Sequence, residues 1–147
     1  MYLGCGHITA PIFDFGEMAG GKSNRGGGKG MLSKNILFQT IDWDQIPKEE
    51  YKGEQGIATW QTLQFNGLRI RIVNYSEGYV ADHWCKKGHI VHCLEGEFVS
   101  EMKSGEQYNL CAGMSYVVSD EVSSHRSITK DGVKLLIIDG DFLQYHS

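Results

Sequence analysis

The sequence predicts an all-β protein, a barrel or sandwich of short strands. Three observations carry that expectation. Runs of β-branched and aromatic residues recur at near-regular spacing, roughly ten in all, separated by Gly-, Asn-, Asp- and Ser-bearing turns. One run, Leu68 to Tyr75, alternates cleanly as Leu-Arg-Ile-Arg-Ile-Val-Asn-Tyr, the period of a strand with two different faces. No stretch carries a convincing amphipathic helical pattern.

The chain has 147 residues, which suits one domain, and a hydrophobic content of 41%, enough for one core. Residues 1–30 differ from the rest. They hold nine of the nineteen glycines, and Gly20 to Gly30 is nearly all Gly, Ser, Asn, Lys and Arg. Such a segment buries too little apolar surface to offset its ordering entropy. Residues 1–34 are therefore read as a flexible Gly-rich extension and 35–147 as the folded domain. Met31 is an alternative start, and the patches Tyr2-Leu3 and Ile12 to Phe15 leave an added edge strand open as the other reading.

Ile36 to Ile41 opens the domain as a strand candidate. Asp42 to Pro47 reads as a turn or short helical piece, and Lys48 to Gly53 as a polar loop. Ile57 to Phe65 is β-rich and ends in Asn66-Gly67, a strong hairpin signal ahead of the alternating run Leu68 to Tyr75. Ser76-Glu77-Gly78 turns the chain into the densest stretch of chemistry. Phe98 to Met102, Tyr108 to Cys111, Met114 to Val118, His125 to Ile128 and Val133 to Asp139 are the later strands. Turns at Lys103 to Glu106, Ala112-Gly113 and Lys130 to Gly132 separate several of them.

The segment Asp82-His-Trp-Cys-Lys-Lys-Gly-His-Ile-Val-His-Cys93 places three His and two Cys within eleven residues. His83 and Cys85 are two apart, so on a strand they share a face. After a turn at Lys86-Lys87-Gly88, His89 opens a second strand with Val91 and Cys93 on its face. If the two strands fold back on each other, His83, Cys85 and His89 converge. Glu95-Gly96-Glu97 has the look of a tight turn into a third strand.

These residues resemble the first motif of the cupins: Gly78, then His83, Cys85 where a second His is usual, His89 where a Glu is usual, and Gly96. The second motif resembles Gly113 to His125, without its usual Pro and with Thr129 in place of its usual Asn. Asp82-His83-Trp84-Cys85 with Lys87-Gly88-His89 is similar to the small bacterial DHCW-motif cupins, and the likeness runs from about Phe38 to Phe142. The resemblance implies a double-stranded β-helix, the jelly-roll cupin barrel. It implies one metal held by His83, Cys85, His89 and His125, and a homodimer. It leaves activity and catalytic residues undefined.

Imidazole with thiolate favours a divalent transition metal, Zn first, then Fe, with Ni, Co or Cu open. Cys85 reads either as a ligand or as a small buried hydrophobe. His92 falls out of phase with His89. Asp82 and Trp84 alternate with the ligands, so Asp82 is an outer hydrogen-bond acceptor for a His or a surface group. Arg69 and Arg71 share a face, either inward to clamp a carboxylate or outward in solvent. Trp60, Tyr79 and Tyr116 are pocket-lining or packing aromatics. Asp120 and Glu121 stand on the loop before His125, as solvated charge or as a gate.

A net charge of −4 argues against nucleic acid and an anionic membrane as partners, and no apolar run is long enough to span a bilayer. Four cysteines without framework spacing, and no secretion signal, fit a reducing cytoplasm. No nucleophilic triad, phosphate loop or dinucleotide fingerprint is present. Two functions follow: a metal-dependent enzyme on a small polar or carboxylate-bearing molecule, or a non-catalytic metal-stabilised binding or sensing protein. A redox-responsive Cys85 is a third and weaker reading.

Overall fold

The computed structural model describes residues 35–144. The expectation for residues 1–34 lies outside them. From Ile36 onward the described chain is one compact unit of eight strands: β1 (Glu49–Lys52), β2 (Ile57–Phe65), β3 (Leu68–Tyr75), β4 (His89–Met102), β5 (Gln107–Cys111), β6 (Ser115–Val118), β7 (His125–Ile128) and β8 (Val133–Gly140). All the pairings are antiparallel. β1, β2, β3, β8 and β4 lie side by side in that order. The first half of β4 pairs with β8 and β6; its second half pairs with β5 and β7. One long strand thus belongs to both sheets of a jelly-roll barrel, and the ligand segment sits at its start.

Most of the sequence expectations hold to within a residue, and the Asn66-Gly67 hairpin joins β2 to β3 with Phe65 opposite Leu68. Four differ. Ile36 to Ile41 forms no strand. β-propensity needs a ladder partner, and the free edge of β2 is taken instead by β1, the expected polar loop, with Glu49 opposite Trp60. The chain just before β1 is fixed by Gln61, whose Nε2 donates to the carbonyls of Trp43 and Ile46 at 2.6 and 2.9 Å across a short 3-10 turn. Glu95 to Glu97 is no turn. β4 continues through a register shift between Cys93 and Glu95, and Gly96 at φ +81° lets the strand bend where a Cβ would meet the Gly132 carbonyl at 2.5 Å. Asp82 to Cys85 forms no strand either, making only an isolated bridge from Cys85 to His125. Eight strands therefore stand where roughly ten were expected.

Strand alternation layers the inner face of the large sheet. Tyr75 pairs with Val133 and Val73 with Leu135; Arg71 then pairs with Ile137, and Arg69 with Asp139. The apolar layers join Val91, Cys93, Phe98 and Leu110 in the core. Fully burying a side chain such as Leu135 contributes about 1.5–3 kcal/mol. The last layer is polar, and it opens into the cavity described next.

Candidate metal centre

A cavity of about 350 Å³ opens at the polar end of the barrel. Cys85, His89 and His125 line it together with Arg69, Arg71, Trp60, Tyr79 and Tyr116, so the expected pocket residues all face one space. The three potential ligand atoms lie within 4.8 Å of one another. Each arrives for a local reason. His89 is the first residue of β4 and points inward in phase with Val91 and Cys93. His125 is the first residue of β7, and Cys85 is tied to it by a two-way backbone bridge, Cys85 N–H to His125 carbonyl at 2.7 Å and the reverse at 3.0 Å.

The loop before His125 clamps the turn before His89. Asp120 Oδ1 accepts from the Gly88 N–H at 2.6 Å, its other oxygen lies 3.5 Å from Lys87 Nζ, and the Glu121 N–H donates to the Lys86 carbonyl at 2.9 Å. Only glycine permits this approach at position 88, because a Cβ there would lie 2.6 Å from the Asp120 nitrogen. Asp120 thus holds the turn rather than standing as free surface charge.

The ring orientations leave the Nε2 atoms for a ligand. His89 Nε2 is 3.3 Å from Cys85 Sγ while its Nδ1 faces Asp139 Oδ2 at 3.5 Å. His125 Nδ1 is 2.9 Å from Ser123 Oγ, and its buried Nε2 has no hydrogen-bond partner. A carboxylate or hydroxyl behind one imidazole nitrogen is the usual way a metal-binding His is oriented. Tetrahedral bonds of 2.0–2.3 Å set ligand atoms roughly 3.3–3.8 Å apart, and the Cys85–His89 separation of 3.3 Å lies in that range. Burial pushes the Cys85 thiol up, but the neighbouring His125 and His89 imidazoles and the charge of His89 outweigh it and bring the thiol down to about 5. The His89 imidazole is pulled down by burial and more than restored by Asp139 and Cys85. A thiolate and two oriented imidazoles suit a soft or borderline divalent ion, and the orphaned His125 nitrogen is where one fits.

His83 stands outside this group. Its side chain is 71% exposed at the cavity rim, and its Nδ1 donates to Asp82 Oδ1 at 2.6 Å. The same-face expectation for His83 and Cys85 required a strand that Asp82 to Cys85 does not form. His92 lies outside the group as well, with its Nδ1 2.7 Å from Ser115 Oγ.

Arg71 and Arg69 point inward. Arg71 is only 4% exposed; it lies over the Trp60 ring at 4.5 Å and reaches Asp139 Oδ2 at 3.0 Å. Arg69 grips both oxygens of the same carboxylate at 3.0 and 2.9 Å. Burial disfavours the Asp139 charge, yet His89, Arg69 and Arg71 hold its carboxyl far below the usual range. Asp139 escaped the sequence reading. The signal was present: a charged residue in phase with Val133, Leu135 and Ile137, on a face otherwise wholly apolar. Ser123 carried no comparable signal.

No protein-family model matches the chain, and no match is found among curated proteins. Solved structures do match. The ectoine synthase from P. lautus is 18% identical over 70% of this chain and 78% of its own, with a TM-score of 0.58. A predicted oxalate decarboxylase from Thermotoga maritima is 17% identical over 69% and 99%, with a TM-score of 0.60. An RmlC-like cupin from Shewanella frigidimarina is 21% identical over 71% and 91%, with a TM-score of 0.58. At these identities the likeness establishes the fold.

Proposed function

We propose that this protein, a cupin by its fold, binds one divalent transition metal through Cys85, His89 and His125 and acts there on a small polar or carboxylate-bearing molecule. The observation that carries the reading is the pairing of three converging ligand atoms, two of them on buried histidines, with a cavity that abuts them. Three protein ligands leave a position for substrate or water, whereas closed four-ligand zinc sites are usually structural. When bound, the metal would supply Lewis-acid polarisation of a substrate oxygen or activation of water.

The chain's own residues do the rest. Ser123 holds the Nδ1 of His125, and Asp139 faces the Nδ1 of His89 at 3.5 Å, so each imidazole presents its Nε2. The Asp120 clamp keeps the Cys85 and His89 segments in register with the loop leading to His125. Val91, Leu135 and Ile137 give the cavity an apolar wall that limits water. Neighbouring structures named as an ectoine synthase and a predicted oxalate decarboxylase support a catalytic role for the shared fold.

Elemental analysis of protein purified without chelator, with X-ray absorption at the metal edge, tests this. About one metal per chain with one sulfur, two nitrogens and an exchangeable oxygen is expected. A shell of protein ligands alone would turn the reading to a metal-stabilised binding protein. No metal after reconstitution would end it.

A further inference from the structure

We propose that Arg71 and Arg69 form a carboxylate-binding subsite within the same cavity, and that the molecule it takes is a small carboxylate with an apolar body. The proposal rests on the reading of the cavity given above and narrows its substrate class.

Charge balance comes first. Two guanidinium groups share the single Asp139 carboxylate, and the one other anion among the described residues lining the cavity, the Cys85 thiolate, belongs to the metal group, so the arginine pair is left with one positive charge over. The other cations lining the cavity are answered: Lys87 by Asp120, and Arg126 by Glu101 and Glu54. A buried charge without its counterion is costly, so a surplus of this kind marks a place where an anion is stabilised.

Donor geometry comes second. Arg71 contributes only Nη2 to Asp139; its Nε is buried and has no partner. Trp60, whose ring lies beneath the Arg71 guanidinium, has an indole Nε1 that is likewise buried and unpartnered. Two orphaned N–H donors on neighbouring side chains, both lining the cavity, are donors for an oxyanion with several lone pairs. A cation would be repelled here, and a neutral amide would leave the charge unanswered.

Register supplies the rest of the ligand. Arg71 stands in the layer of Ile137, which pairs in turn with Val91, and Val91 pairs with Tyr116. Leu135 lies one layer deeper. A carbon body would contact these side chains, while Arg69, in the layer of Asp139, is closer to the His89 end. At about 350 Å³ the cavity is at the small end of ligand sites, which run from roughly 300 to 1,000 Å³. A short carboxylate fits that volume and still leaves a second polar group free to reach Cys85, His89 and His125.

The test follows the indole N–H resonance of Trp60 by nitrogen-edited NMR, assigned with Trp60→Phe, during titration with lactate, butyrate and benzoate. Lactamide is the neutral counterpart, and metal-free and zinc-loaded protein are both titrated. At least one of the carboxylates is expected to shift Trp60 and leave Trp43 unmoved, and lactamide to do neither. Arg71→Lys keeps the charge but loses the planar fork and should weaken that carboxylate at least ~10-fold. Arg69→Gln, at a partly exposed position, serves if Arg71→Lys does not fold, and should weaken binding several-fold. Zinc binding with no response to any of the three carboxylates overturns the subsite and leaves the metal reading standing. So does equal affinity in a folded Arg71→Lys or Arg69→Gln protein. A carboxylate response that depends on Arg71 in protein that binds no metal sustains the subsite and removes the metal.

Discussion

Two arginines of this molecule lie over tryptophan rings at nearly the same distance, Arg71 over Trp60 at 4.5 Å and Arg126 over Trp84 at 4.6 Å. Their surroundings are opposite. In the cavity, two arginines compete for one carboxylate. At the rim, one arginine holds two, Glu101 at 2.7 Å and Glu54 at 3.4 Å. The rim cluster satisfies its charge twice over beside solvent, as a cross-brace between strands does. The cavity cluster leaves one charge over around the buried Arg71, which costs stability and is tolerated where binding uses it. The same local motif is structural in one place and chemical in the other, and charge balance separates them.

The largest effect expected from breaking the cavity side belongs to Asp139→Asn. It strips the carboxylate from Arg71, Arg69 and His89 together. Loss of one partner from a buried ion cluster costs about 3–5 kcal/mol, read as a lower urea midpoint at neutral pH. The pH dependence has a definite sign. Asp139 ionises more readily when folded than a free aspartate, whose pKa is about 3.8. Its contribution is therefore complete above that value and is lost as pH falls below it toward the folded pKa. Wild type should lose stability in that window, and the Asn variant should show a flatter acid limb. Equal acid limbs would assign the acid loss to other carboxylates.

Next come the ligands. Cys85→Ala removes the one anionic ligand and should lower zinc affinity by more than the roughly 10–100-fold typical of losing an outer-sphere partner, in a competition assay with a chromophoric chelator. Metal-free protein offers a second readout. With the thiol at about 5, iodoacetamide should react at a nearly constant rate from pH 8 to 6 and slow tenfold per unit only below pH 5. A rate that falls from pH 8 downward would mean an ordinary thiol and a weaker ligand. Ser123→Ala is milder, releasing His125 Nδ1 while all three ligand atoms remain. A loss of about 10–100-fold in zinc affinity is expected; no change would give the orientation of His125 to the β7 backbone alone.

How much of this was legible in the sequence depends on the distance over which each feature is specified. β2 and β3 were readable to the residue because local alternation and Asn66-Gly67 fix them. His125 was found through its resemblance to a second motif, and Arg69 and Arg71 through their shared parity, though parity alone could not choose between inside and outside. That choice was made by Asp139, about seventy positions away on a neighbouring strand. His83 was grouped with the ligands by a period of two and lies at the rim instead, because its segment forms no strand and pairs only at Cys85. Ile36 to Ile41 failed for the same reason. A strand is a property of two segments, and the sequence of one of them states only half of it.

The smallest effect is expected at the rim. Arg126→Met keeps much of the aliphatic length that covers Trp84 and removes the ion pairs with Glu101 and Glu54. Partly exposed pairs are screened by water and salt and contribute about 0–1 kcal/mol, so the urea midpoint should move little and less still in 0.5 M salt. Zinc affinity and the Trp60 response to carboxylates should be unchanged. If Arg126→Met instead weakened carboxylate binding as much as Arg71→Lys, the surplus charge would belong to the cavity as a whole. The contrast between the two arginines would then be one of burial and no longer one of role.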